Sequence, residues 1–550
     1  MRVKIFLAQL NPIVGDLKGN MEKALMAVAE AERDDVEIVI LPEMFLSGYQ
    51  LQDLVLKRSF LNDVNSSLSE LALKTRDKPA LMIGAPSFQG EKIFNSYFLL
   101  KQGSIALATQ KYHLPNNDVF DEPRYFHQGV IGEPLQVSGC RIGTPICEDI
   151  WYPDVVTHMK SKGADLIISP NGSPYSRGKI EVRKQIATLR VSETAIPLIY
   201  LNLVGGQDDQ IFDGGSFAIN LDGKIVCELP QFEEATFVVE YRKGNIEVPN
   251  HQSSNVNSAD ESFQDYRAMC VALEDYVIKS GFSKVLVGLS GGIDSALVAT
   301  IAVDALGKDN VLCIRLPSVF TSTESLEDAE NLVGNLGCSM ETISISGVNE
   351  EILTALAPFL SSSQSGLTEE NIQARIRGVL LMAVSNKSNS MLLTTGNKSE
   401  VAVGYSTIYG DMAGGYNPIK DLYKTRVFKI SEWRNKNHFN WMLGPKGEVI
   451  PKNIIAKPPT AELRPGQLDQ DSLPPYEILD KILEGLIEED LSIEQLVHKG
   501  YDRGILKMVE TLIFNSEYKR YQAAPGVHLT DKSFWLGRRY PIVQKWRDKS

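Results

Sequence analysis

The sequence has no long hydrophobic segment, few cysteines and no excess of positive charge. None of its apolar runs reaches the roughly 18 residues that a membrane-spanning helix needs, and its first strand-like run is too short for a signal peptide core. Six cysteines in 550 residues, without close pairs, indicate neither a disulfide framework nor a zinc site. A net charge of −13 argues against a nucleic-acid-binding surface. We therefore expect a cytoplasmic protein without membrane or nucleic-acid partners.

The chain also lacks internal repeats and long low-complexity tracts. Its contents of 43% hydrophobic and 23% charged residues are those of an ordinary globular protein. A chain of 550 residues is too long for one hydrophobic core, so two or three domains are expected. The clearest change in composition is the polar stretch Glu240–Glu261. We therefore place the first domain at 1–240, a linker at 241–261 and the second domain at 262–550.

The segment from Lys284 to Leu306 predicts a buried parallel strand, a tight glycine turn and a buried helix. Such a turn directs backbone N–H groups towards an anion, most often a phosphate, at the positive end of the helix dipole. Ser290 and Ser295 add hydroxyl donors. Asp294 would repel a phosphate unless a cation lay between them, so we expect Mg²⁺ there. The alternative is an ordinary strand–helix turn with capping residues.

The hexapeptide SGGIDS has the spacing of neither a Walker A loop nor a GxGxxG loop. It resembles the signature loop of the ATP pyrophosphatases, which split ATP into AMP and pyrophosphate during NAD, GMP, asparagine or argininosuccinate synthesis. The resemblance implies that the loop holds the pyrophosphate half of ATP. The ATP-binding residues implied here are Gly288, Leu289, Ser290, Gly291, Gly292, Ile293, Asp294 and Ser295.

The first half of the chain contains many short strand-like runs and two helix-like segments, Asn20–Arg33 and Ile180–Thr194, which predict a mixed α/β layer fold. Three polar residues, Glu43, Lys111 and Cys147, lie where apolar strands end. Alone, each has an ordinary explanation as a turn residue, a loop cation or a small buried side chain. Together they contain the parts of a thiol enzyme that cleaves amides.

Each of these three residue types has a role in that chemistry. Cys147 would be the nucleophile, and Glu43 would take its proton and later activate water. Lys111 would stabilise the oxyanion and help to lower the pKa of the thiol. No histidine is required as the base. The assignment predicts an amidase or glutaminase site in the first domain.

Three sequence blocks, LPEMFLSGY, KYHLPN and CEDIW, resemble the motifs of the nitrilase superfamily. The resemblance implies an αββα sandwich with a Glu–Lys–Cys triad, which falls on Glu43, Lys111 and Cys147. It also implies that Glu122, in FDEPRYF, positions the lysine and the substrate amide.

In the glutaminase branch of that superfamily, a serine and a lysine hold the amino-acid end of the substrate. They correspond here to Ser173 and Lys179, in SPYSRGK. The chain departs from the branch at Asn117, where a tyrosine is usual and which we include as a glutamine-binding candidate, and at Gly172, where alanine is usual. We therefore expect glutamine as the substrate of this domain.

The second half alternates strand-like and helix-like segments, which predicts a doubly wound parallel sheet with the glycine loop at the carboxyl end of its first strand. A capping-box pattern at Thr321 predicts the start of a helix over 323–336. A later strand ends in Thr394 and Thr395 and leads to Glu400, which we predict as a second carboxylate for Mg²⁺ beside Asp294.

The block TTGNKSE, followed by GYSTIYGD, resembles the NAD synthetases rather than the other ATP pyrophosphatases. The resemblance assigns Thr395 to ATP. It implies that deamido-NAD is the acceptor and that it is bound by Asn371, Arg375, Glu400, Lys424 and Lys519. The Pro/Gly-rich segment 437–475 predicts a mobile lid over this site.

The order of the two motif sets is that of the glutamine-dependent NAD synthetases. The resemblance implies ATP-driven amidation of deamido-NAD, Mg²⁺ as the metal, ATP as co-substrate and a homo-oligomer. Three alternatives stay open at this point: the same architecture with another acceptor, a nitrilase or amidase whose second domain senses a nucleotide, and a regulatory protein without activity. Formation of pyrophosphate with deamido-NAD would distinguish them.

Overall fold

The computed structural model describes residues 2–249, 260–360, 366–534 and 536–549. The chain divides into two compact units, Met1–Ala259 and Asp260–Ser550. Residues 250–259 of the predicted linker lie outside the described residues. Each unit is described by itself below.

The N-terminal unit consists of strands interrupted by four α-helices among its described residues. Its strands are β1 (Arg2–Gln9), β2 (Ile38–Ile40), β3 (Ala80–Gln89), β4 (Lys92–Lys101), β5 (Ser104–Gln110), β6 (Leu135–Val137), β7 (Cys140–Gly143), β8 (Leu166–Asn171), β9 (Leu198–Asn202), β10 (Val204–Gln207), β11 (Gln210–Asp213), β12 (Phe217–Ile219), β13 (Ile225–Glu228), β14 (Ala235–Arg242) and β15 (Asn245–Glu247). Its helices are α1 (Leu17–Arg33), α2 (Arg58–Lys74), α3 (Pro153–Ser161) and α4 (Lys179–Thr194).

Two large sheets form the layers of this unit. The first has the order β15-β14-β1-β2-β3-β4-β5 and the second β13-β12-β9-β8-β7-β6. They pack face to face, because one buried cluster contains Ile5 and Ile40 from the first sheet together with Ile168 and Leu201 from the second. Helices α3 and α4 cover the outer face of the second sheet, and α2 packs on β3 of the first. The layers are therefore α, β, β and α, as the sequence predicted.

Some local details differ from the sequence predictions. The prediction lacked the helices α2 and α3 and the strands β6, β10, β11, β13, β14 and β15. The predicted linker begins inside the first sheet, because β14 pairs with β1 as far as Arg242 and β15 extends that sheet. The pairing of β14 with β1 joins residues more than 200 positions apart, so a local pattern of polar residues could not reveal it.

The C-terminal unit alternates helices with four short strands in its described residues. The strands are β16 (Val285–Gly288), β17 (Val311–Arg315), β18 (Ser339–Thr342) and β19 (Met391–Leu393). The helices are α5 (Glu261–Lys279), α6 (Ile293–Leu306), α7 (Thr323–Leu336), α8 (Ser346–Leu356), α9 (Leu367–Ser388), α10 (Lys398–Val403), α11 (Lys424–Lys436), α12 (Lys452–Ala456), α13 (Tyr476–Leu483), α14 (Ile493–His498), α15 (Arg503–Asn515) and α16 (Glu517–Arg520).

The four strands form one parallel sheet with the order β18-β17-β16-β19. The chain order reverses at β16, and ligands of such sheets bind beyond the carboxyl ends of the strands at this point. Helix α9 covers one face of the sheet, because its Ile376 packs with Leu286 and Leu392. Helix α6 packs on β16 and on α5. The doubly wound parallel sheet predicted from the sequence is therefore present.

Helix α7 spans the predicted residues 323–336, but its capping residue is Ser322 rather than Thr321. The Ser322 hydroxyl accepts a hydrogen bond from the Ser325 N–H over 3.1 Å. No helix in the described part of the chain is long and apolar enough to cross a membrane.

Candidate active sites

A buried cluster of charges in the N-terminal unit contains the predicted Glu43 and Lys111. The Lys111 Nζ lies 2.9 Å from Glu43 Oε1 and 2.9 Å from Glu122 Oε2, and the Lys111 and Glu43 side chains are fully buried. Glu43 follows β2, and Lys111 follows β5 in the same sheet. The structure therefore brings three of the predicted residues into direct contact.

The cluster keeps Lys111 positively charged. Burial opposes the charge, but Glu122 and Glu43 together raise the pKa of Lys111 well above its usual value. Burial also raises the pKa of Glu122, which the contact with Lys111 opposes. A fixed ammonium in a buried site can stabilise an oxyanion more strongly than it could in water.

Cys147 follows β7 and begins a short helical turn, Cys147–Trp151. Its backbone φ of +47° is unusual for a side chain with a Cβ, and such strain is found at functional sites. Burial and the negative charge of Glu43 raise the pKa of the Cys147 thiol well above its usual value, and Lys111 opposes them only partly. Lys111 thus acts in the predicted direction, since it lowers the pKa of this thiol, but burial and Glu43 outweigh it. The thiol is neutral and needs a base to become a nucleophile.

Two further residues of this cluster were not predicted from the sequence. Asn95 on β4 donates from Nδ2 to Glu43 Oε1 over 2.7 Å and to Glu122 Oε1 over 3.2 Å. The Tyr49 hydroxyl donates to Glu122 Oε1 over 2.9 Å. An asparagine inside the strand-like run IFNSYFLL was the available signal, because asparagine is rare in strands.

The loop after β8 closes the cluster on another side. The Gly172 N–H donates to Glu43 Oε2 over 2.6 Å. A Cβ on Gly172 would lie 2.7 Å from Tyr49 Cδ1 and 3.2 Å from Glu43 Oε2, so the Tyr49 ring fills the space that an alanine side chain would need. The chain therefore has glycine at 172, where the family usually has alanine, and the Tyr49 ring occupies the space of the missing methyl group.

The three glutamine-binding candidates lie in different surroundings. Ser173 is buried, and its hydroxyl accepts a hydrogen bond from Arg183 Nε over 3.1 Å. Arg183 is itself held by Asp213 in a buried ion pair of 2.6 Å. Lys179 is half-buried at the start of α4. Asn117 lies exposed on a turn, so the structure does not bury it with the triad.

Asp149 connects the segments that carry Lys111 and Cys147. Its Oδ1 accepts hydrogen bonds from the N–H groups of Tyr112 over 3.1 Å and His113 over 2.8 Å. Its Oδ2 accepts one from the Ile146 N–H over 2.9 Å. The residues after the lysine and before the cysteine therefore share one buried carboxylate.

In the C-terminal unit, the predicted phosphate loop joins β16 to α6. Gly291 has a φ of +82°, in the region that favours glycine. The Ser290 and Ser295 hydroxyls lie 3.1 Å apart, and Ser290 Oγ accepts a hydrogen bond from the Gly292 N–H over 3.2 Å. The hydroxyls and backbone donors are thus gathered at the amino end of α6, where the helix dipole favours an anion.

The two predicted metal ligands lie on either side of Lys424. Its Nζ donates to Asp294 Oδ2 and, over 3.0 Å, to Glu400 Oε1. Asn397 Nδ2 holds the other oxygen, Asp294 Oδ1, over 2.9 Å. Burial and the charge of Asp294 raise the pKa of Glu400 to about 8, although Lys424 opposes them. The predicted acceptor-binding lysine is therefore the counter-ion of both carboxylates.

Two carboxylates that share one ammonium can also share a small divalent cation. Among the described residues no group of three or more His, Cys, Asp and Glu side chains could hold a metal ion. Mg²⁺ commonly takes one or two protein carboxylates and completes its oxygen shell with phosphates and water. Asp294 and Glu400 fit that arrangement, and Thr395, which precedes Glu400 in the chain, is half-buried just after β19.

Three predicted deamido-NAD residues converge on the segment 404–408. Asn371 Oδ1 accepts a hydrogen bond from Thr407 Oγ1 over 2.8 Å. Arg375 Nε donates to the Ile408 carbonyl over 3.3 Å. Lys519 Nζ donates to the carbonyls of Gly404 over 2.8 Å and Ser406 over 2.7 Å. Residues distant in sequence thus surround one loop.

The predicted lid, 437–475, is packed on α7 in this structure. Glu462 Oε1 accepts hydrogen bonds of 2.7 Å from the hydroxyls of Ser322 and Ser325. Lys457 Nζ lies 3.0 Å from Asp328 Oδ2.

A cavity of about 480 Å³, lined by Ser318, Ser346 and Gln373 among others, lies beyond the carboxyl ends of β17 and β18. Its size suits a nucleotide base or a fragment of similar size.

The comparisons with known proteins agree with this geometry. The carbon-nitrogen hydrolase family matches residues 4–247, and the NAD synthase family matches residues 265–523. The chain is 54% identical over 549 residues to the glutamine-dependent NAD(+) synthetase of Rhodobacter capsulatus, covering 100% of both chains. It resembles the structure of glutamine-dependent NAD+ synthetase from Acinetobacter baumannii in complex with ADP, with a TM-score of 0.78, 36% identity and 100% coverage of both chains.

A synthetase structure from Cytophaga hutchinsonii, at 22% identity, has the same fold with a TM-score of 0.83, and the two cover 99% of this chain and 98% of that one. The fold and the sites thus define a carbon–nitrogen hydrolase domain followed by an NAD synthase domain on one chain. The chain belongs to the family of glutamine-dependent NAD(+) synthetases.

Proposed function

We propose that the protein makes NAD from deamido-NAD, with ATP as the co-substrate and glutamine as the nitrogen donor. One observation carries the proposal: the identity of 54% to a glutamine-dependent NAD(+) synthetase extends over the whole of both chains. Another acceptor, or a second unit that only senses a nucleotide, would not account for that match.

In the N-terminal unit, the Cys147 sulfur attacks the carboxamide carbon of glutamine while Glu43 takes the thiol proton. Lys111 stabilises the negative oxygen of the tetrahedral intermediate. Glu43 returns the proton to the leaving nitrogen, so ammonia departs and a thioester remains. Glu43 then takes a proton from water, which attacks the thioester carbon to release glutamate and the thiol. Ser173 and Lys179 hold the amino-acid end of the substrate.

In the C-terminal unit, the turn at Ser290–Gly292 and the hydroxyl of Ser295 bind the pyrophosphate half of ATP. The nicotinate carboxylate of deamido-NAD attacks the α-phosphorus, which gives an acyl adenylate and pyrophosphate. Ammonia then attacks the activated carbonyl carbon, AMP leaves, and the amide of NAD forms. Asn371, Arg375, Lys424 and Lys519 contact deamido-NAD in this proposal.

Asp294 and Glu400 are the residues that would hold Mg²⁺. When bound, the metal would neutralise part of the negative charge of the phosphates. Lys424, which joins both carboxylates, balances their charge in the chain itself. We further propose that the protein works in the cytoplasm as a homo-oligomer, as its family resemblance implies.

The test is an assay of the purified protein with ATP, Mg²⁺ and deamido-NAD, and with either glutamine or ammonium chloride. NAD, AMP and pyrophosphate are expected in equal amounts with both nitrogen sources. Replacing deamido-NAD by xanthosine monophosphate or aspartate is the control for another acceptor. NAD formation that is absent with both nitrogen sources would refute the proposal.

A further inference from the structure

Asn95 lies directly across from Lys111 at the edge between β4 and β5. The neighbouring residues Ser96 and Gln110 are paired in register. The Lys111 N–H donates to the Asn95 carbonyl over 2.8 Å. The main chain thus fixes Asn95 beside the lysine, and the Asn95 side chain is 1% exposed.

The orientation of the Asn95 amide is determined by its neighbours. The Nδ2 group lies within hydrogen-bond distance of both Glu43 Oε1 and Glu122 Oε1. The opposite orientation would place the amide oxygen against two carboxylates, which have no proton to donate when ionised. Asn95 Oδ1 has no hydrogen-bond partner in the described part of the chain. The only side-chain bonds that the structure gives Asn95 are therefore those to the two glutamates.

We propose that Asn95 is a positioning residue that holds the carboxylate of Glu43 in the orientation of a base for Cys147. The inference rests on the proposed glutaminase function of this site. Asn95 Nδ2 and Lys111 Nζ donate to the same oxygen, Glu43 Oε1, and the Gly172 N–H donates to Oε2. Donors to a carboxylate favour its charged form, which is the form that can take a proton from a thiol.

The charges around Glu43 show why one neutral donor matters. The groups that interact electrostatically with Glu43 include Lys111, Glu122, Tyr49, Cys147 and Glu148. Lys111 is the cation of this set, and it also pairs with Glu122. The positive charge is thus shared between two carboxylates. Asn95 adds hydrogen bonds to both without adding charge.

The test compares Asn95→Leu, which has nearly the size of asparagine and cannot donate, with Asn95→Asp, which cannot donate when it is ionised. Glutamine hydrolysis is measured from about pH 5 to about pH 9, together with NAD synthesis from ammonium. We expect the acidic limb of the kcat profile to move to higher pH by about one unit in N95L, and further in N95D, because its charge adds to the repulsion. The KM for glutamine should stay within about two-fold, and the ammonium-dependent rate should not change.

Two more variants make the result specific. Ser96→Ala, next to Asn95 on β4, removes a part-buried 2.6 Å hydrogen bond with Ser87 on β3, and its pH profile should match the wild type. Asn95→Ser keeps one donor, so its acidic limb should lie between those of the wild type and N95L. If N95L does not fold, N95S takes its place in the test. An acidic limb that stays in place in folded N95L or N95S, or an equal loss of both activities, would overturn the inference. Absence of glutamine hydrolysis in the wild type would instead refute the proposed function.

Discussion

Gly291 of the phosphate loop lies against the main-chain oxygen of Ser325 at the start of α7. A Cβ on Gly291 would lie 2.4 Å from that oxygen. The contact cannot be relieved by rotating a side chain, because the neighbouring atom belongs to the backbone. The phosphate loop and the first turn of α7 are therefore in contact only because residue 291 is glycine.

The substitution Gly291→Ala should lower NAD synthesis from both nitrogen sources by more than about 100-fold. The added Cβ clashes with Ser325, and alanine is disfavoured at a φ of +82°. The loop must therefore leave the conformation that we predict binds the phosphates. Steady-state assays with glutamine and with ammonium provide the measurement. Gly334→Ala on α7 is the matched control, because nothing lies within 4 Å of its added Cβ and its activity should be retained.

The substitution Cys147→Ala should abolish glutamine-dependent NAD synthesis, by more than about 1,000-fold, and leave the ammonium-dependent rate within a few-fold of wild type. The nucleophile is needed only to release ammonia. Cys227→Ala removes another buried thiol of the same core and should keep both activities. If C147A lost the ammonium-dependent activity as well, the two sites would not be separable.

The substitution Asp294→Asn should suppress formation of AMP and pyrophosphate by more than about 100-fold with either nitrogen source. The neutral amide cannot replace the carboxylate beside Lys424 and the phosphates. Glutamine hydrolysis by Cys147 should persist, and Asp309→Asn, on an exposed turn of the same unit, should behave as wild type. Normal pyrophosphate release by D294N would exclude the role assigned to this side chain.

The substitution Lys424→Gln should tighten the binding of free Mn²⁺ in the absence of nucleotide, while it lowers NAD synthesis. Without the ammonium, Asp294 and Glu400 are part-buried carboxylates that lack a counter-ion. Electron paramagnetic resonance titration with Mn²⁺ measures this binding directly. Lys429→Gln, which changes an exposed lysine of the same helix, should bind Mn²⁺ as the wild type does.

The raised pKa of Asp149 predicts that the stability of the folded protein depends on pH. Burial raises its pKa to about 6, and the backbone N–H groups of His113 and Ile146 offset the burial only in part. The folded chain therefore binds this proton more tightly than the unfolded chain, in which aspartate titrates near pH 3.9. The contribution of Asp149 to the free energy of unfolding is fully present below about pH 4 and is lost as the pH rises through about 6.

The variant Asp149→Asn does not titrate, so its stability relative to wild type should improve between about pH 4.5 and about pH 7.5, by at most about 3 kcal/mol. Urea unfolding followed by hydrogen exchange in residues 140–151 measures the difference. Asp154→Asn is expected to show the opposite sign, because the hydrogen bond with His113 lowers the pKa of Asp154 although its partial burial opposes this. Parallel pH curves for wild type and D149N would contradict the assignment.

The sequence predicted the parts of the fold that depend on neighbouring residues. The apolar run, the glycines and the capping side chains around Ser290 determine the strand, the turn and the helix locally. Glu43 and Lys111 could be predicted as site residues because each ends an apolar strand within a recognisable motif. Their contact in the structure follows from both strands belonging to one sheet.

The residues that the sequence did not reveal act through distant contacts. Asn95 and Glu43 are 52 positions apart, and Tyr49 and Glu122 are 73 positions apart. Nothing in the local pattern says that these side chains will meet. The sequence predicted that Lys111 lowers the pKa of Cys147, but it did not reveal the burial of the thiol, which raises that pKa by more.

The ammonium that joins Asp294 to Glu400 also has a consequence for folding of the C-terminal unit. Two part-buried carboxylates that contact the same ammonium would repel each other in its absence. Since Lys424 supplies that neighbour from the chain itself, the unit requires no divalent ion to assemble. Dialysis against EDTA should therefore leave its thermal midpoint unchanged.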